Sequence, residues 1–436
     1  MKVGFISLGC SKNLVDTEMT IGIFKKNGFE IETDPKEADI IVINTCGFIQ
    51  SAKEEAINTI LEMSEYKKNK CKYLIVMGCL VERYKDELEK EIPEVDLFVK
   101  FSEYSTIWEQ ISKLIKNKKE EEKLNFNNRI ITTGDNFAYL RIAEGCSNHC
   151  TYCAIPSIRG PYISRKIEDV IDEANELAKK GYKELIVIAQ DTTKYGIDIY
   201  GEPKLAELLE KLCKIEGVHW IRFLYAYPET IDDKLIKVVK ENKKICKYFD
   251  IPIQHISDKV LKRMNRKSTG NSIRELFKKL RKEIPNVIIR TTVMVGFPGE
   301  TQEDFEELYN FIKEYKVDRL GAFTYSKEDN TPAEKLKDQI HPNTKKSRYN
   351  KVMELQQLIS KEKMKDTIGK EYEVLIETKT FDGKYYIGRS YEDVPDIDGL
   401  IYIKNNFKEN LEGKFIKCKI TNVKEYDKIG KIINKD

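Results

Sequence analysis

Short, wholly apolar segments alternate with amphipathic segments through the first third of the chain, and this alternation restricts the fold more than any other feature. Strands without a polar face must be covered on both sides, so the pattern predicts a parallel sheet between layers of helices. The second helix should begin with a capping box formed by Ser51 and Glu54. Strands are predicted at Val3–Leu8, Ile40–Asn44 and Tyr73–Met77, and helices at Leu14–Lys26, Ser51–Met63 and Tyr84–Lys90.

A cysteine follows each of these three strands. Cys10 stands in LGC, Cys46 in NTCG and Cys79 in MGC. Because the carboxyl ends of parallel strands lie on one edge of a sheet, the three side chains should meet in space. One cysteine after a buried strand is usually a small core residue, but three in equivalent positions favour a set of cluster ligands. The adjacent glycines would let the backbone pack close to a bulky inorganic ligand.

Three further cysteines share one short loop, AEGCSNHCTYC. Cys146, Cys150 and Cys153 have the spacing C-x3-C-x2-C. Three thiolates this close can hold three irons of a [4Fe-4S] cluster and leave the fourth iron without a protein ligand. The alternatives are a zinc site completed by His149 or a group of buried small side chains, but zinc sites rarely use this spacing as their whole ligand set.

The remaining cysteines and one histidine carry weaker signals. Cys71, Cys213, Cys246 and Cys418 share no spacing or context, so we expect packing residues or surface thiols. His255, in PIQHIS, could act as an acid or base, although a lone histidine in such a position is more often a structural hydrogen-bonding group.

Strands and helices alternate again from Phe137 to about Leu336. Six or so β/α units over this length predict a full or partial barrel, whose site should lie at the carboxyl ends of the strands, beside the cysteine loop. Strands are predicted at Tyr139–Ile142, Glu184–Ala189, Ile221–Tyr225, Tyr248–Ile251, Val287–Val295 and Leu320–Phe323, and helices at Ile167–Lys180 and Ser272–Lys282.

The last part of the chain has a different pattern. A helix over Pro342–Asp366 leads into short alternating strands that predict a small antiparallel barrel of OB-like size. These strands are expected at Glu371–Glu377, Tyr385–Arg389, Gly399–Lys404 and Lys414–Val423. The charged segment Lys116–Arg129 should be a solvated helix end and linker. We therefore predict an α/β multidomain protein divided at residues 1–125, 132–362 and 366–436.

Composition restricts the compartment and the class of partner. Lys and Arg number 75 against 72 Asp and Glu, a balance that does not indicate a nucleic-acid binder. The first residues predict a strand instead of a signal peptide, and no apolar run approaches the about 20 residues that a membrane span needs. We expect a cytoplasmic protein, without membrane association, whose ten cysteines are reduced.

The motifs of this chain resemble those of the methylthiotransferases, a family of radical S-adenosylmethionine (SAM) enzymes. They are SLGCSKNLVDTE, NTCGFIQSAKEE, MGCLVERY, RIAEGCSNHCTYCAIPSIRG, YAYPE, DIPIQHISDKVLKRMNR and VGFPGET. The resemblance covers essentially the full length. It implies an N-terminal methylthiotransferase domain with an auxiliary cluster, a central radical SAM domain and a C-terminal TRAM domain. It also implies sulfur insertion into an unactivated C–H bond, followed by methyl capping.

The resemblance further implies the cofactors and their sites. Two [4Fe-4S] clusters would lie on the two sets of three cysteines, and SAM would bind the open iron beside Cys146, Cys150 and Cys153. One SAM would methylate sulfur carried at the auxiliary cluster, and a second would yield the radical. Residues expected to contact SAM are Tyr152, Gln190, Asp191 and Gly296, although Gln190 and Asp191 depart from the usual Gly-Gly-Glu. Arg159 and Arg165 would pair with SAM or substrate, or form surface salt bridges.

Two branches of the family share this architecture, one acting on adenosine in tRNA and the other on an aspartate of ribosomal protein uS12. GCSKN around Cys10 favours the ribosomal-protein branch, since the tRNA branch typically has GCQMN there. Residues 366–436 hold 13 Lys and Arg against 14 Asp and Glu, whereas a barrel that grips RNA should be basic. The acidic stretch Glu392–Asp398 would suit a basic protein partner, unless it is only a solvated loop.

The resemblance thus implies uS12 as substrate, with the β-carbon of its aspartate as the reacting atom. A flavodoxin- or ferredoxin-type protein would supply electrons, and we expect a monomer. The first alternative is a tRNA adenosine methylthiotransferase. The second is a non-catalytic iron–sulfur scaffold, which would not need a pocket of SAM size.

Overall fold

A parallel five-stranded sheet occupies the N-terminal part of the chain. The structure is a computed structural model that describes residues 1–116, 126, 128–406 and 409–434. The strands of this part are β1 (Lys2–Ser7), β2 (Glu30–Glu32), β3 (Ile40–Thr45), β4 (Tyr73–Gly78) and β5 (Leu97–Lys100). Its helices are α1 (Ser11–Lys26), α2 (Gln50–Ser64), α3 (Cys79–Glu91) and α4 (Ile107–Leu114). The strand order is β2-β1-β3-β4-β5, and apolar clusters cover both faces, as predicted.

The helix starts differ from the sequence prediction in three places, and α1 begins at Ser11, three residues before the predicted Leu14. α2 begins at Gln50 with Ile49 as its N-cap and no side-chain cap, so the predicted capping box of Ser51 and Glu54 is wrong. Ser51 lies within the first turn, where its hydroxyl is not at the capping position. α3 begins at Cys79, five residues before the predicted start, and this places that cysteine at a helix N-terminus.

The central part is an incomplete barrel of six parallel strands. The barrel strands are β6 (Phe137–Arg141), β9 (Glu184–Ile188), β10 (Trp220–Phe223), β11 (Tyr248–Asp250), β12 (Ile288–Val295) and β13 (Arg319–Thr324), and a separate antiparallel pair is formed by β7 (Ala143–Glu144) and β8 (Ile163–Ser164). Two sheets, β6-β9-β10 and β11-β12-β13, join through the parallel bridge from Ile221 to Ile245. No pairing joins β6 to β13 among the described residues, so the prediction of a partial barrel is confirmed.

The helices of this part are α5 (Ile155–Arg159), α6 (Ile167–Lys179), α7 (Ile197–Tyr200), α8 (Leu205–Cys213), α9 (Asp233–Glu241), α10 (Asp258–Arg263), α11 (Gly270–Glu283), α12 (Gln302–Tyr315) and α13 (Pro342–Lys365). The longer helices pack their apolar faces on the strands in one core; α6, for example, contributes Val170, Ala174 and Leu177. The short helix α5 instead packs against α3 of the N-terminal part. Burial of such helix faces supplies most of the stabilisation of an α/β layer.

The C-terminal part is a closed five-stranded barrel. Its strands are β14 (Glu371–Lys379), β15 (Tyr385–Arg389), β16 (Ile401–Lys404), β17 (Phe415–Val423) and β18 (Lys428–Asn434). The order is β14-β15-β16-β18-β17. The predicted small barrel is confirmed, but the sequence prediction missed β18, and β18 pairs with β16 in parallel, not antiparallel. That parallel pair closes the barrel.

The end of the predicted linker is not solvated. Most of Lys116–Arg129 lies outside the described residues, but Arg129 is 2% exposed. Its guanidinium pairs with Glu18 and Glu173 and donates to the carbonyl of Tyr139. Arg129 therefore ties α1, α6 and β6 together, which corrects the expectation of a solvated segment at this point.

The acidic stretch of the barrel is an internal contact. Asp393 pairs with Arg319 and Lys428, and Asp398 pairs with Arg319. Glu392 also pairs with Lys428. Through Arg319 of β13, Asp393 and Asp398 hold the barrel against the central part, whereas Glu392 pairs within the barrel. Most of the stretch is therefore an internal contact, and of its carboxylates only Asp396 is exposed.

No helix among the described residues is both long enough and apolar enough to cross a lipid bilayer.

Candidate active site

The three strand-end cysteines of the N-terminal sheet come together around Asn13. The amide oxygen of Asn13 lies 3.8 Å from Cys10 Sγ and 3.6 Å from Cys79 Sγ. Cys46 lies beside Gly9, where a Cβ would be 2.7 Å from the Cβ of Cys46. The predicted convergence of these side chains is therefore present in the structure.

Backbone packing explains the glycines next to these cysteines. A Cβ on Gly47 would lie 2.7 Å from the Cα of Leu80, and a Cβ on Gly78 would lie 2.5 Å from the carbonyl oxygen of Thr45. Gly78 also has a φ of +107°, which favours glycine. The glycines thus let the strand ends pack against one another, whereas the sequence interpretation assigned their space to an inorganic ligand.

The loop that carries the other three cysteines is anchored at several points. The amide of Cys146 donates to the carbonyl of Gly160 at 3.1 Å, and that of Thr151 donates to the carbonyl of Met264 at 3.1 Å. Asn148 donates to a carboxylate oxygen of Asp191 at 2.8 Å. These contacts hold the loop at the carboxyl ends of the barrel strands, as the strand order predicted.

Burial disfavours the thiolate form of two of these cysteines. It raises the pKa of Cys79 and of Cys153 to about 12. A metal binds the thiolate and displaces the proton, so such thiols suit a ligand that supplies its own positive charge. No three His, Cys, Asp or Glu side chains of the described chain converge on a single ion. A cubane cluster does not require that convergence, because each cysteine binds a different iron.

One cavity joins the two sets of cysteines. Its volume is about 320 Å³, within the range of small-molecule sites. The cysteines that line it are Cys10, Cys46, Cys79, Cys146 and Cys153. Cys150 is buried behind this wall, at 5% exposure. The cavity lies between the N-terminal sheet and the barrel, so both parts contribute to one site.

Two strained residues face this cavity from the barrel. Tyr225, after β10, has a φ of +61°, and Gln254, after β11, has a φ of +69°. Such angles are costly for residues other than glycine and concentrate at functional sites. Asp250 accepts the amide of Tyr225 at 3.0 Å, and the amide of Gln254 donates to the carbonyl of Thr292 at 2.9 Å. These contacts fix two side chains on the cavity wall.

The residues predicted to contact SAM fall into two groups. Tyr152 and Gln190 line the cavity. Asp191 is fully buried behind it, where it accepts from Asn148 and Thr193. Gly296 is also not part of the lining among the described residues, and its amide donates to Glu300. A Cβ on Gly296 would lie 2.4 Å from Cγ of Lys345, so its close neighbour is a lysine stem.

The two arginines that were predicted to pair with SAM or substrate, Arg159 and Arg165, lie in different places. Arg159 lines the cavity, is 4% exposed, and donates to Asn13 at 2.7 Å, to Asp16 at 2.8 Å and to Glu144 at 3.0 Å. It forms a buried bridge between the loop and α1. Arg165 is not brought to the cavity; it pairs with Glu173 and lies 3.6 Å from the ring centre of Phe126.

His255 has the surroundings of a structural residue and not those of an acid or base. Its Nδ1 accepts the amide of Ser257 at 3.0 Å, and burial lowers its pKa to about 3. The ring is fully buried and does not line the cavity. It is therefore neutral in the physiological range, as expected for a structural hydrogen-bonding group.

Sequence reasoning missed several residues of the cavity wall. They are Lys12, Phe48, Asp250, Arg290 and Thr292. Arg290 donates to Asp250 at 2.7 Å across β11 and β12. A signal existed for two of them: Lys12 follows Cys10 by two positions, and Asp250 is a charged residue at the end of a buried strand. Tertiary contacts decide that both face inward.

Comparison with known proteins defines the class. The Radical SAM superfamily matches residues 140–312, uncharacterized protein family UPF0004 matches residues 2–100, and the TRAM domain matches residues 368–433. The chain is therefore a radical SAM protein with an additional N-terminal sheet domain and a TRAM barrel. Since these matches are narrower than the predicted divisions 1–125, 132–362 and 366–436, those boundaries stay a prediction.

Full-length relatives identify the family within this class. The chain is 65% identical over 433 residues to ribosomal protein uS12 methylthiotransferase RimO of Alkaliphilus oremlandii, covering 99% of each chain. It is 52% identical to the protein of the same name from Acetivibrio thermocellus, covering 99% of this chain and 98% of that one. The chain belongs to the RimO family of radical SAM methylthiotransferases.

Solved structures show the same fold at low identity. TsrM of Kitasatospora setae, a radical S-adenosylmethionine methyltransferase, superposes with a TM-score of 0.59 at 13% identity, covering 76% of this chain and 73% of that one. OxsB, a cobalamin-dependent S-adenosylmethionine radical enzyme, gives a TM-score of 0.52 at 13% identity and covers 83% of this chain and 56% of that one.

Family membership implies [4Fe-4S] clusters and SAM, and the donor set fits them. Two sets of three thiols each leave one iron of a cubane without a protein ligand. The amide of Ile155 points at Cys153 Sγ at 3.5 Å, the kind of N–H contact that stabilises a cluster thiolate.

Proposed function

We propose that this protein inserts sulfur at the β-carbon of an aspartate of ribosomal protein uS12 and adds a methyl group to that sulfur. The observation that carries the proposal is the single cavity lined by both sets of cysteines. A scaffold for clusters would not need one cavity shared between them. The names of the full-length relatives support uS12 as the substrate.

In this proposal the six cysteines hold the cofactors. Cys146, Cys150 and Cys153 would bind the cluster that holds SAM, and Cys10, Cys46 and Cys79 would bind the auxiliary cluster. When bound, these groups supply the electron, the radical chemistry, the sulfur and the methyl group. The chain itself supplies position and exclusion of water.

Named side chains carry out the positioning. Tyr152 packs edge to face on Phe297, with ring centres 6.4 Å apart, and closes one wall. Gln190 donates its amide N–H to Glu144 at 2.8 Å, and its Oε1, which has no hydrogen-bond partner among the described residues, would be the atom that accepts from SAM. Asp191 acts from behind the wall, because it holds Asn148 of the cysteine loop.

Arg159 would act on the auxiliary site through Asn13. Its guanidinium donates to Asn13, which contacts Cys10 and Cys79. A residue that orients such a neighbour would position the cluster ligands without binding the metal. We assign it to the auxiliary cluster, with Arg165 outside the site.

The same proposal includes the remaining partners. A flavodoxin- or ferredoxin-type protein would donate electrons, and the enzyme would act as a monomer. Because ribosomal proteins are its substrates, we expect it in the cytoplasm.

The test uses protein purified without oxygen and reconstituted with iron and sulfide. It is incubated with SAM, dithionite and either uS12 or tRNA, and the products are analysed by mass spectrometry. We expect a methylthio increment on one aspartate of uS12 and none when that aspartate is replaced by asparagine.

Other results would reassign the function. A methylthio group on tRNA adenosine with unchanged uS12 would move the protein to the tRNA branch. Unmodified uS12 and tRNA, with no cleavage of SAM, would support the scaffold alternative. The Cys153→Ala variant serves as the control, because it should lose SAM cleavage while it retains auxiliary iron.

A further inference from the structure

Lys12 is a buried residue whose ammonium group has no carboxylate partner among the described residues. The residue is 6% exposed and lines the cavity. Among the residues that the structure describes, no carboxylate lies within ion-pair distance of its ammonium, and no oxygen accepts a hydrogen bond from it. A buried ammonium without an anion is costly, so such a group usually serves a ligand.

The other cations on the wall are already neutralised. Arg159 pairs with Asp16 and Glu144, and Arg290 pairs with Asp250 at 2.7 Å. Lys12 is thus a lysine or arginine of the wall that is not paired with a carboxylate among the described residues. It lines the cavity that both sets of cysteines share, so its charge faces the proposed substrate site.

An aromatic platform holds the ammonium in place. Lys12 Nζ lies 3.2 Å from the ring centre of Tyr225. The backbone of Tyr225 is fixed on both sides, since its amide donates to Asp250 at 3.0 Å and its carbonyl accepts from Thr192 at 3.1 Å. The cation–π contact compensates part of the desolvation and leaves the N–H donors free for an anion.

We propose that Lys12 binds the side-chain carboxylate of the target aspartate and so selects an acidic side chain over a neutral one. This inference rests on the proposed function. The carboxylate of aspartate is attached directly to its β-carbon, so a group that holds the carboxylate also positions the reacting carbon. Lys12 is therefore a specificity-determining residue, because it provides recognition of the carboxylate that neither the cluster cysteines nor SAM provide.

The test measures binding to the cluster-loaded enzyme with SAM and without reductant. Fluorescently labelled uS12 is compared with uS12 in which the target aspartate is asparagine. Wild type should prefer the aspartate form by about 10- to 100-fold, the range expected for a charge-assisted hydrogen bond. Lys12→Met should reduce this preference below about 3-fold, because it should weaken binding of the aspartate form of uS12 and leave binding of the asparagine form unchanged. Lys12→Arg should retain the preference. Lys25→Met, at the exposed end of the same helix, is the matched control.

Four results would overturn the inference. The first is equal binding of both forms of uS12 by the wild type, which needs no variant. The second is an undiminished preference in Lys12→Met. The third is weaker SAM binding in that variant with normal uS12 binding, and the fourth is loss of its iron, which would make Lys12 a counter-charge to the cluster. Failure of the proposed function is distinguishable, because the wild type would then leave uS12 unmodified in the turnover assay.

Discussion

Asn13 shows how one side chain can bring together two cysteines that are distant from each other in sequence. Its amide nitrogen donates to the carbonyls of Leu8 at 3.2 Å and Thr45 at 2.9 Å, so both strand ends fix it. Its oxygen then faces Cys10, Cys79 and Arg159. The cysteine positions are thereby held before any iron is bound, which reduces the conformational cost of binding.

Replacement of one auxiliary cysteine should remove one cluster. We expect Cys79→Ala to reduce iron per chain to about half of the wild-type value, because three ligands are needed to retain a cluster. Cys213→Ala should retain all the iron, since Cys213 belongs to neither set. Iron determination after reconstitution gives the measurement, and full iron in Cys79→Ala would contradict the ligand assignment.

His255 should make stability depend on pH. Burial lowers its pKa to about 3 in the folded state, whereas an unfolded histidine titrates near about 6.5. The unfolded state therefore binds the extra proton, and stability should fall by about 1.4 kcal/mol per pH unit below about 6.5. The His255→Gln variant should lose this dependence. Urea unfolding between pH 7.5 and 5.5 tests it, and parallel curves for both proteins would show that His255 is not responsible.

At the scale of elements, the strand ends of the N-terminal sheet act as one packed unit. Gly9, Gly47 and Gly78 each lie where a methyl group would meet a neighbouring strand end or helix start. The start of α3 packs directly on the segment after β3. The geometry of the auxiliary site therefore depends on close backbone contact between elements.

A methyl group at Gly47 should disturb this contact. Its Cβ would lie 2.7 Å from the Cα of Leu80, so the start of α3 and Cys79 must move. We expect Gly47→Ala to lower the free energy of unfolding by about 1–3 kcal/mol and to weaken iron retention at the auxiliary site.

Gly321→Ala is the matched control for this substitution. The nearest atom to a Cβ there is Thr292 Oγ1 at 3.9 Å, so little change is expected. Chemical unfolding and iron retention are compared in both variants. Equal behaviour of the two would exclude close packing as the reason for glycine at position 47.

At the scale of the whole molecule, buried ion pairs join the TRAM barrel to the radical SAM part. Arg389 of β15 donates to Glu184 of β9 at 2.8 Å and to Glu377 at 2.6 Å. Glu184 also accepts from Arg222 at 2.8 Å. All three of Arg389, Glu184 and Arg222 are fully buried. The barrel is thus attached by specific charges at the face remote from the cysteines.

Removal of Arg389 should loosen the barrel. The Arg389→Met variant leaves Glu184 buried with one partner fewer, and breaking a buried pair costs about 3–5 kcal/mol. We expect earlier unfolding and faster proteolysis between α13 and β14. Lys384→Met removes an exposed pair with Asp382 and should have little effect. Equal protease sensitivity in both variants would contradict a role of Arg389 in attachment.

Charge counts predicted the partner surface poorly, because ion pairs between residues distant in sequence neutralise many of the counted charges. The composition of Glu392–Asp398 predicts an acidic surface. In the structure, however, Asp393 forms ion pairs with Arg319 and Lys428, and Asp398 forms one with Arg319. Likewise, Arg129 reads as part of a polar linker but is buried between Glu18 and Glu173. Side chains far apart in sequence decide whether a charge is free, and no local pattern records them.

The sequence by itself determined most of the strands, the three parts of the chain and the cysteines of the two sets. Apolar periodicity follows from burial, and the short spacing of Cys146, Cys150 and Cys153 follows from the size of a cluster, so both are local properties. Only the tertiary structure decided that both sets face one cavity, that Lys12 and Asp250 line it, and that Arg165 and Gly296 do not. These facts depend on how the sheet docks on the barrel, which is set by packing between residues more than a hundred positions apart, such as Arg159 with Asp16.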